Sequence, residues 1–546
     1  MRIGVDLDNT IIRYDALFRR LAEEQGLLPD DGVGSKKALR DALRLLPDGE
    51  QHWTDLQALV YGPRILEAEA FPGVEQFFRR CRELGLDLCV VSHKTEFAAS
   101  DRSRSTNLRQ AALSWLDAKG FFGPDLGLRR EAVHFTSTRQ DKTARIAALD
   151  CDLFVDDLLE VFEEPDFPQG TLKILFAPGA EDAPGDFPGL AFGHWDEVLA
   201  HVEARLPSPA LRQALARELG AMPRGFRVLN GGRNSRVWRV ALDTGPAVVK
   251  EYPSRQRLDT EAGAFAFLRD QGLTCVPETL RVCPDELFAL YAFVPGERLQ
   301  GADIGGQDVQ DFVRFALELQ RLAATPEAAD LPDAAEAFFS LEGVLGNIGA
   351  RLTRLRSRER AGILDEDLDR FLAQDFEPAL ARCRERAAGL YAGLGLTPDS
   401  LLPQAQRSLS PSDFGFHNAL KTPQGMVFLD FEYFGRDDPA KMLADFLLHP
   451  GMGAPQEART AFARAVLAGL GDPGLRPRLA ALLPLFGLKW CMILLNEFLA
   501  ADFARRTFSG ERRDRAEVLR RQLDKARAML AQSLRFSATQ DPLAGT

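Results

Sequence analysis

The chain has 546 residues, a formal net charge of -12 and 45% hydrophobic residues. This length is too great for one hydrophobic core and predicts two to four domains. The acidic balance argues against nucleic acid as the main partner, because polyanion binding relies on an excess of Lys and Arg. Seven cysteines without a CxxC pair favour incidental thiols in a reducing compartment.

Neither the N-terminal residues nor the most apolar segment predicts a membrane protein, and a membrane span of that segment is the remote alternative. Residues 1–9 contain no apolar run long enough for a signal peptide, so we expect a cytoplasmic protein. The most apolar segment, residues 482–499, is interrupted by Lys489 and Glu497. Because an isolated charge near the bilayer centre is costly, this segment is predicted to be a buried core helix, with no membrane partner.

The first two hundred residues alternate short apolar runs with helical patterns. Four runs are predicted to be buried strands, namely Ile3–Val5, Leu86–Val91, Leu153–Val155 and Leu172–Phe176. Four segments are predicted to be helices, namely Ala16–Glu24, Val74–Leu84, Leu108–Lys119 and Thr143–Leu149. Strands separated by helices predict a parallel α/β sheet, in which ligands bind at the carboxyl ends of the strands.

The first predicted strand runs into an acidic motif, residues 6–10 (DLDNT). Two carboxylates facing a phosphate repel it, by several kcal/mol at roughly 4 Å in a partly shielded site. A divalent cation relieves that repulsion, and Mg²⁺ suits an all-oxygen site. Asp6 is then a candidate nucleophile, and Asp8 a candidate acid that protonates the leaving oxygen and later activates water.

Further polar residues stand at the ends of later strands. Ser92 ends the second predicted strand and is suited to bind a phosphate oxygen. Lys142 opens a predicted helix and can neutralise developing charge. Asp156 and Asp157 end the third predicted strand and are suited to hold a metal ion. His93 and Lys94 follow Ser92 directly, and both substrate contact and surface placement are open for them.

This order of motifs resembles the haloacid dehalogenase-like (HAD) phosphohydrolases, over roughly residues 1–200. The resemblance implies a Rossmannoid parallel-sheet domain at 1–205 with a small helical cap at about 13–70. It implies Mg²⁺-dependent hydrolysis of a small-molecule phosphomonoester through an aspartyl-phosphate. The implied roles are nucleophile and metal ligand for Asp6, acid/base and metal ligand for Asp8, phosphate binding for Ser92 and Lys142, and metal binding for Asp156 or Asp157.

A second set of motifs follows a predicted linker at residues 206–222. Gly231 and Gly232 form a turn before a strand, and paired glycines let the backbone approach phosphates closely. Lys250 ends another predicted strand, and Glu261 begins a helical run. A strand lysine held by a helix glutamate, beneath a glycine turn, is the arrangement with which kinases grip nucleotide phosphates.

The segment from Ser410 to Asn418 carries the other half of that chemistry. Asp413 stands five residues before Asn418, as in the kinase catalytic loop. Its carboxylate can orient an acceptor hydroxyl and take its proton, while Asn418 offers an oxygen to a metal. A predicted hairpin then ends at Asp430, which is placed to bind metal as well.

These motifs resemble the aminoglycoside phosphotransferase and choline kinase-like family, over roughly residues 222–530. The resemblance implies an α+β bilobal protein-kinase-like domain, with an N-lobe at 223–298 and a C-lobe at 299–535 that includes a helical substrate-binding insert. It implies phosphorylation of a sugar or amino alcohol hydroxyl by ATP or GTP. The implied roles are catalysis for Asp413, nucleotide binding for Gly231, Gly232, Lys250 and Glu261, and metal binding for Asn418 and Asp430.

One departure concerns the residues around the catalytic aspartate. The family commonly has His-Gly directly before it, whereas Pro411 and Ser412 stand there in this chain, and His417 precedes Asn418. Together the two resemblances predict a bifunctional phosphoryl-transfer enzyme that uses Mg²⁺ and ATP or GTP. Two alternatives stay open: one domain is a silent binding or regulatory module, or the whole chain is a scaffold. Residues 536–546 are predicted to be a flexible tail.

Overall fold

The computed structural model describes residues 1–27, 36–98, 100–101, 104–178, 187–229, 235–360, 362, 364–507, 515–539, 541 and 543. The chain divides into two compact units. The first is Met1–Leu229 with Trp238–Gly245, and the second is Asn230–Val237 with Pro246–Thr546.

The first unit alternates strands and helices. Its strands are β1 (Arg2–Val5), β2 (Ile12–Arg13), β3 (Glu69–Ala70), β4 (Asp87–His93), β5 (Val133–Thr136), β6 (Leu153–Asp156), β7 (Leu172–Phe176) and β8 (Leu190–Phe192), followed by β9 (Arg224–Val228) and β10 (Arg236–Leu242). Its helices are α1 (Asp15–Glu24), α2 (Lys36–Leu43), α3 (Gly49–Tyr61), α4 (Val74–Glu83), α5 (Leu108–Ala118), α6 (Arg139–Ala148), α7 (Leu159–Phe162), α8 (Trp195–Ala204) and α9 (Pro209–Leu219).

A parallel six-stranded sheet in the order β5-β4-β1-β6-β7-β8 forms the centre of this unit. Val5 of β1 lies in register with Val90 of β4 and with Val155 of β6, and all three side chains are fully buried. The register brings the carboxyl ends of these strands to one edge. The predicted parallel α/β class is therefore confirmed for the N-terminal region.

Three helices form a separate layer beside the sheet edge. The short strands β2 and β3 pair antiparallel, with Arg13 opposite Glu69, and they bracket α1, α2 and α3. Phe18 of α1 stacks on Trp53 of α3 with ring centroids 5.0 Å apart. This aromatic pair adds to a core of buried aliphatic side chains from the same helices, among them Leu21, Leu43 and Leu56.

Two helix starts differ from the prediction, for the same physical reason. Thr138 caps α6 by accepting a hydrogen bond from the Asp141 backbone N–H, so Lys142 lies within the first turn of the helix rather than opening it. Ser208 caps α9 in the same way, with Pro209 as the first helical residue. Helix α9 therefore lies inside residues 206–222, which were predicted to be a linker.

The second unit combines a small antiparallel sheet with many helices. Its strands are β11 (Gly245–Glu251), β12 (Thr279–Cys283), β13 (Phe288–Ala292), β14 (Ser408–Ser410), β15 (Ala419–Thr422), β16 (Gly425–Phe428) and β17 (Gly435–Asp437). Its helices are α10 (Arg255–Asp270), α11 (Gly306–Ala323), α12 (Leu341–Arg356), α13 (Leu364–Arg370), α14 (Glu377–Gly393), α15 (Pro439–Leu448), α16 (Gln456–Leu470), α17 (Leu475–Leu494), α18 (Ala500–Thr507) and α19 (Arg515–Ser537).

Strands β11, β13 and β12 pair antiparallel, and α10 packs beside them. Helix α17 is a long, apolar and mostly buried helix of this unit. The stretch Leu475–Phe498 is long and apolar enough to cross a membrane, with a mean hydropathy of 1.8, but 83% of that window is buried inside the protein. The core position predicted for the segment at 482–499 is the one it occupies. Leu543, inside the predicted tail, is also buried.

Candidate functional site

The first candidate site is a cluster of carboxylates around a buried lysine at the edge of the parallel sheet. Lys142 Nζ lies 2.5 Å from Asp6 Oδ1 and 2.7 Å from Asp156 Oδ2. Asp6 directly follows β1, and its backbone N–H donates to the Val155 carbonyl at 2.8 Å, which fixes it beside β6. Asp6, Asp156 and Asp157 each offer an oxygen within 4.8 Å of the others. The sheet register therefore brings predicted residues from three segments to one point.

Burial controls the charge state of this cluster. It raises the pKa of Asp6 to about 7, against the attraction of the Lys142 ammonium, and the Asp156 carboxylate adds to the rise. Burial and the Asp156 charge likewise raise the pKa of Asp157 well above its usual range. For Lys142, burial alone would lower the pKa, but Asp156 and Asp6 raise it above the ordinary value. One ammonium thus faces three crowded carboxyl groups.

Asp8, the second acid of the motif, has a different environment. Its carboxylate accepts a hydrogen bond from the Tyr14 hydroxyl at 2.6 Å and lies 2.8 Å from Lys94 Nζ. Lys94 is only 4% exposed, whereas its neighbour His93 is exposed and contacts the Ser137 carbonyl. The open question about these two residues is therefore answered differently for each: Lys94 lies in the site, and His93 does not.

Ser92 lies beside the cluster with a free hydrogen-bonding capacity. Its side chain is 1% exposed, and its hydroxyl has no hydrogen-bond partner among the described residues. A buried hydroxyl without a partner costs free energy unless a ligand or water satisfies it. This observation fits the phosphate-binding role predicted for Ser92. The all-oxygen donor set of Asp6, Asp156 and Asp157 fits Mg²⁺.

The second candidate site is centred on Lys250 of β11. Its ammonium lies 2.5 Å from Glu261 Oε2 and 2.8 Å from Asp430 Oδ1. The Tyr252 hydroxyl donates to Glu261 Oε2 at 2.8 Å, and the Phe431 backbone N–H donates to Glu261 Oε1 at 3.3 Å. Glu261 lies in the middle of α10, not at the start of a helical run as predicted, and its side chain is fully enclosed by these donors.

The hairpin β15–β16 brings Asn418 and Asp430 together. Asn418 directly precedes β15, and its carbonyl accepts from the Leu429 backbone N–H at 2.8 Å across the hairpin. Asp430 is the next residue and has a left-handed φ of 63°, a strained conformation for an aspartate that recurs at functional sites. Asp430 and the nearby Glu432 belong to a group of carboxylates with Glu261. These oxygens also fit Mg²⁺.

Asp413 is held by two histidines. His417 Nε2 lies 2.9 Å and His449 Nε2 3.5 Å from the same oxygen, Asp413 Oδ1, and the two rings stack with centroids 4.0 Å apart. Although burial raises the pKa of Asp413, the hydrogen bond from His417 and the charge of His449 lower it to about 2. Asp413 is therefore an ionised acceptor with a fixed orientation.

A buried ion-pair network supports the loop that carries Asp413. Lys441 Nζ lies 2.8 Å from Asp437 Oδ2 and 3.3 Å from Asp445 Oδ2, and it donates to the Ser412 hydroxyl at 2.9 Å. Ser412 has a left-handed φ of 68°. The network thus fixes a strained residue next to Asp413, at the position where the departure from the His-Gly pattern occurs.

Some predicted residues cannot be placed, and some participants were not predicted. Gly231 and Gly232 lie outside the described residues. Tyr14 and His449 were not assigned to a site from the sequence, and substrate contact was only one of two open interpretations for Lys94. His449 ends α15, and a lone histidine at a helix end carries no signal of its own in a sequence.

Comparison with known proteins places the C-terminal region. The model of the phosphotransferase enzyme family (APH) matches residues 225–482, slightly less than half of the chain. No curated protein matches the chain. Among solved structures, the chain is similar to an ADP-bound aminoglycoside phosphotransferase (16% identity, 60% of this chain and 99% of that chain, TM-score 0.40). It is also similar to spectinomycin phosphotransferase in complex with ADP and spectinomycin (11% identity, 60% of this chain and 99% of that chain, TM-score 0.42). A third similar structure is a choline/ethanolamine kinase family protein from Mesorhizobium loti (18% identity, 60% of this chain and 98% of that chain, TM-score 0.39).

Proposed function

We propose that the second unit is a nucleotide-dependent small-molecule kinase of the bilobal protein-kinase-like type. The observation that carries this proposal is the placement of Lys250 between Glu261 and Asp430, at 2.5 Å and 2.8 Å, within the region that matches the phosphotransferase family. A lysine positioned by a helix glutamate can bind nucleotide phosphates, and the acid after the hairpin can hold the metal that accompanies them.

The residues of this unit divide the work of phosphoryl transfer. Asp413 accepts the proton of the acceptor hydroxyl as its oxygen attacks the terminal phosphorus, and the bond from that phosphorus to the bridging oxygen breaks. His417 and His449 orient the carboxylate. Lys250 binds the phosphates of the donor, ATP or GTP. When bound at Asn418 and Asp430, Mg²⁺ would supply neutralisation of the nucleotide phosphate charge.

The kinase proposal is tested by phosphorus NMR of the full chain with ATP, Mg²⁺ and a panel of sugars and amino alcohols. Formation of a phosphomonoester that requires Asp413 is the expected result. Absence of product with every acceptor, together with undetectable nucleotide binding, would contradict the proposal and favour a silent module.

A second function, phosphomonoester hydrolysis of the HAD type, is proposed for the first unit. A specific observation supports it: Lys142 lies between Asp6 and Asp156, and the buried Ser92 hydroxyl beside them has no partner among the described residues. Three crowded carboxyl groups, those of Asp6, Asp156 and Asp157, and one unsatisfied hydroxyl at a single sheet edge are unfavourable for stability alone. Such a constellation is typical of a site that binds a phosphate.

Two steps follow from the positions of Asp6 and Asp8. An Asp6 oxygen attacks phosphorus, the ester P–O bond breaks, and the alcohol leaves with a proton from Asp8. Asp8 then takes a proton from water, whose oxygen attacks the aspartyl-phosphate and releases inorganic phosphate. Lys142 and Ser92 bind the phosphoryl oxygens. When bound at Asp6, Asp156 and Asp157, Mg²⁺ would supply charge neutralisation.

Hydrolysis of a generic aryl phosphate by the full chain tests this function. We expect Mg²⁺-dependent release of phosphate that is lost in Asp6→Asn. Equal hydrolysis by wild type and Asp6→Asn would contradict it. We further propose that both sites act on small molecules in one cytoplasmic enzyme. The cytoplasmic placement is supported by the seven cysteines, none of which forms a disulfide in the structure. Tethering would then raise the effective concentration of a shared intermediate.

A further inference from the structure

Two lysines outside the set that binds the cleaved phosphate lie near the first site. Lys94 follows β4 and pairs with Asp8 at 2.8 Å. Lys36 is the first residue of α2, in the helical layer, and its ammonium lies 3.5 Å from the Asn9 side-chain oxygen. Asn9 directly follows Asp8, so both ammonium groups contact the motif that carries the proposed nucleophile.

The same tyrosine ring lies close to both lysines. The Lys94 ammonium is 4.8 Å and the Lys36 ammonium 5.4 Å from the centre of the Tyr61 ring. Lys36 is also 5.5 Å from the Phe18 ring. Cation–π contacts stabilise an ammonium only modestly, by about 0.5–2 kcal/mol. Two like charges beside one ring repel each other. The Asp8 and Asp157 carboxylates offset part of this repulsion at Lys36, and an anion bound between the two ammonium groups would offset more of it.

The two lysines differ in how their charge is offset. Asp8 neutralises Lys94, whereas Lys36 has no carboxylate ion-pair partner among the described residues. Its polar contacts are the Asn9 amide oxygen and the Tyr61 side chain, and the Asp8 and Asp157 carboxylates attract it from beyond ion-pair distance. A half-buried ammonium that is held by aromatic rings and an amide retains attraction for an anion.

The phosphate that is cleaved does not account for this charge. Its oxygens already have two proposed binding groups: Ser92, near the end of β4, and Lys142 of α6, which lies beside Asp6. Lys36 belongs to the helical layer between β2 and β3, which follows the Asp6–Thr10 loop in the sequence. Its position is suited to the part of the substrate that leaves, rather than to the part that is transferred.

We propose that the substrate hydrolysed by the first unit carries a second anionic group, a carboxylate or a second phosphate, which Lys36 and Lys94 bind. This inference rests on the phosphohydrolase function proposed above and names its substrate class. The anion bridges the two ammonium groups at the Tyr61 ring. When Lys94 turns from Asp8 toward the substrate, the hydrogen bond from the Tyr14 hydroxyl still holds the Asp8 carboxylate.

The test is calorimetric binding to full-length Asp6→Asn protein with Mg²⁺, so that no substrate is consumed. Three probes share a phosphomonoester: glycerol 3-phosphate has no second anion, 3-phosphoglycerate adds a carboxylate, and 2,3-bisphosphoglycerate adds a further phosphate. We expect one or both of the latter to bind at least ~10-fold more tightly than glycerol 3-phosphate. Tighter binding of 3-phosphoglycerate would identify the second group as a carboxylate, whereas tighter binding of 2,3-bisphosphoglycerate alone would identify it as a second phosphate.

Lys36→Met in the same background should reduce that preference to less than ~3-fold and leave glycerol 3-phosphate binding unchanged. Lys119→Met is the matched control, because Lys119 also lies over an aromatic ring, Trp115. Equal binding of all three probes, or a preference that survives Lys36→Met, would overturn the proposal. Hydrolysis is measured separately: a preference that depends on Lys36 in a protein that hydrolyses no phosphomonoester would keep the second-anion site and remove the phosphohydrolase function.

Discussion

Each unit of this protein holds a lysine between two carboxylates, yet the two arrangements differ in exposure. Lys142 lies 2.5 Å and 2.7 Å from Asp6 and Asp156, and all three side chains are at most 6% exposed. Lys250 lies 2.5 Å and 2.8 Å from Glu261 and Asp430, but the Asp430 side chain is 32% exposed. The first arrangement is closed, whereas the second is open on one side.

The difference corresponds to different chemistry. A closed site raises the pKa of its acid and suits a carboxylate that itself attacks phosphorus. An open site leaves one acid accessible to a large ligand and suits a lysine that binds a nucleotide. In the second unit, the proposed proton acceptor, Asp413, has its pKa lowered to about 2, whereas the pKa of Asp6 in the first unit is raised to about 7.

Metal removal should have the largest effect and should not distinguish the two units. Treatment with EDTA is expected to reduce both hydrolysis and phosphoryl transfer by about 1000-fold or more, because carboxylates that face phosphate need a divalent cation. Both activities should return when Mg²⁺ is restored. Persistence of one activity in metal-free protein would show that the two clusters do not share a metal requirement.

The closed arrangement can be broken at Lys142. Lys142→Met should reduce hydrolysis by roughly 1000-fold and lower the unfolding free energy by about 3–5 kcal/mol, because Asp6 and Asp156 become an unpaired buried pair. Calorimetry and a phosphate-release assay measure the two effects. The surface variant Lys119→Met should behave like wild type, and hydrolysis by Lys142→Met near the wild-type rate would contradict the role assigned to this lysine.

The open arrangement can be broken at Lys250. Lys250→Met should lower kcat/KM for the nucleotide by about 100-fold, without affecting hydrolysis by the first unit. Lys421 offers a matched control, since it also pairs with a carboxylate, that of Asp308, but is 48% exposed. If Lys250→Met leaves the nucleotide kinetics unchanged, Lys250 does not bind the nucleotide, and its likeness to Lys142 has no functional meaning.

The orientation of Asp413 is open to a finer test. His417→Ala should lower kcat by about 10-fold with a smaller change in KM, because the carboxylate loses the donor that fixes it at 2.9 Å. His417→Gln retains a donor and should restore part of the rate. A change confined to KM, or no rescue by Gln, would indicate that His417 contacts the acceptor instead.

The smallest expected effect is on acid stability. Burial, with the adjacent His417, lowers the pKa of His449 to about 4, and Asp413, Asp445 and Arg459 also face its ring. Because an unfolded histidine titrates near 6.5, the unfolded chain binds more protons between these values. Stability contributed above pH 6.5 is thus lost as the pH falls toward 4, by up to about 3 kcal/mol.

Calorimetry at pH 7.5 and pH 5 checks this contribution. The unfolding temperature of His449→Gln should lie closer to that of the wild type at pH 5 than at pH 7.5, because Gln does not titrate. A constant difference between the two proteins at both pH values would contradict the assigned titration of His449.

Much of the first site could be predicted because parallel strands place their last residues at one edge. Asp6, Ser92 and Asp156 each follow or end an apolar run, so their convergence follows from the sheet class. Tyr14 could not be predicted, and the choice between site and surface for Lys94 could not be made, since no local pattern indicates which way a loop side chain turns. Strand β8 escaped prediction for another reason: three residues within a Pro/Gly-rich stretch carry too little periodicity.

The second site was less accessible to sequence reasoning. Lys250, Glu261 and Asp430 come from a strand, a helix and a hairpin, and only the resemblance to a known arrangement links them. The histidine pair at Asp413 depends on the end of α15, whose distance from the catalytic loop is set by the packing of long helices. Such contacts between distant elements are decided by tertiary structure and leave no periodic signal.

The most direct test of two independent phosphoryl-transfer sites is a crossed measurement by phosphorus NMR. Wild type, Asp6→Asn, Asp413→Asn and the double variant are each incubated with ATP, Mg²⁺, the acceptor panel and an aryl phosphate. We predict that Asp6→Asn forms phosphorylated acceptor but does not hydrolyse the aryl phosphate, that Asp413→Asn does the reverse, and that the double variant does neither. Loss of both activities in either single variant, or retention of either activity in the double variant, would contradict the account.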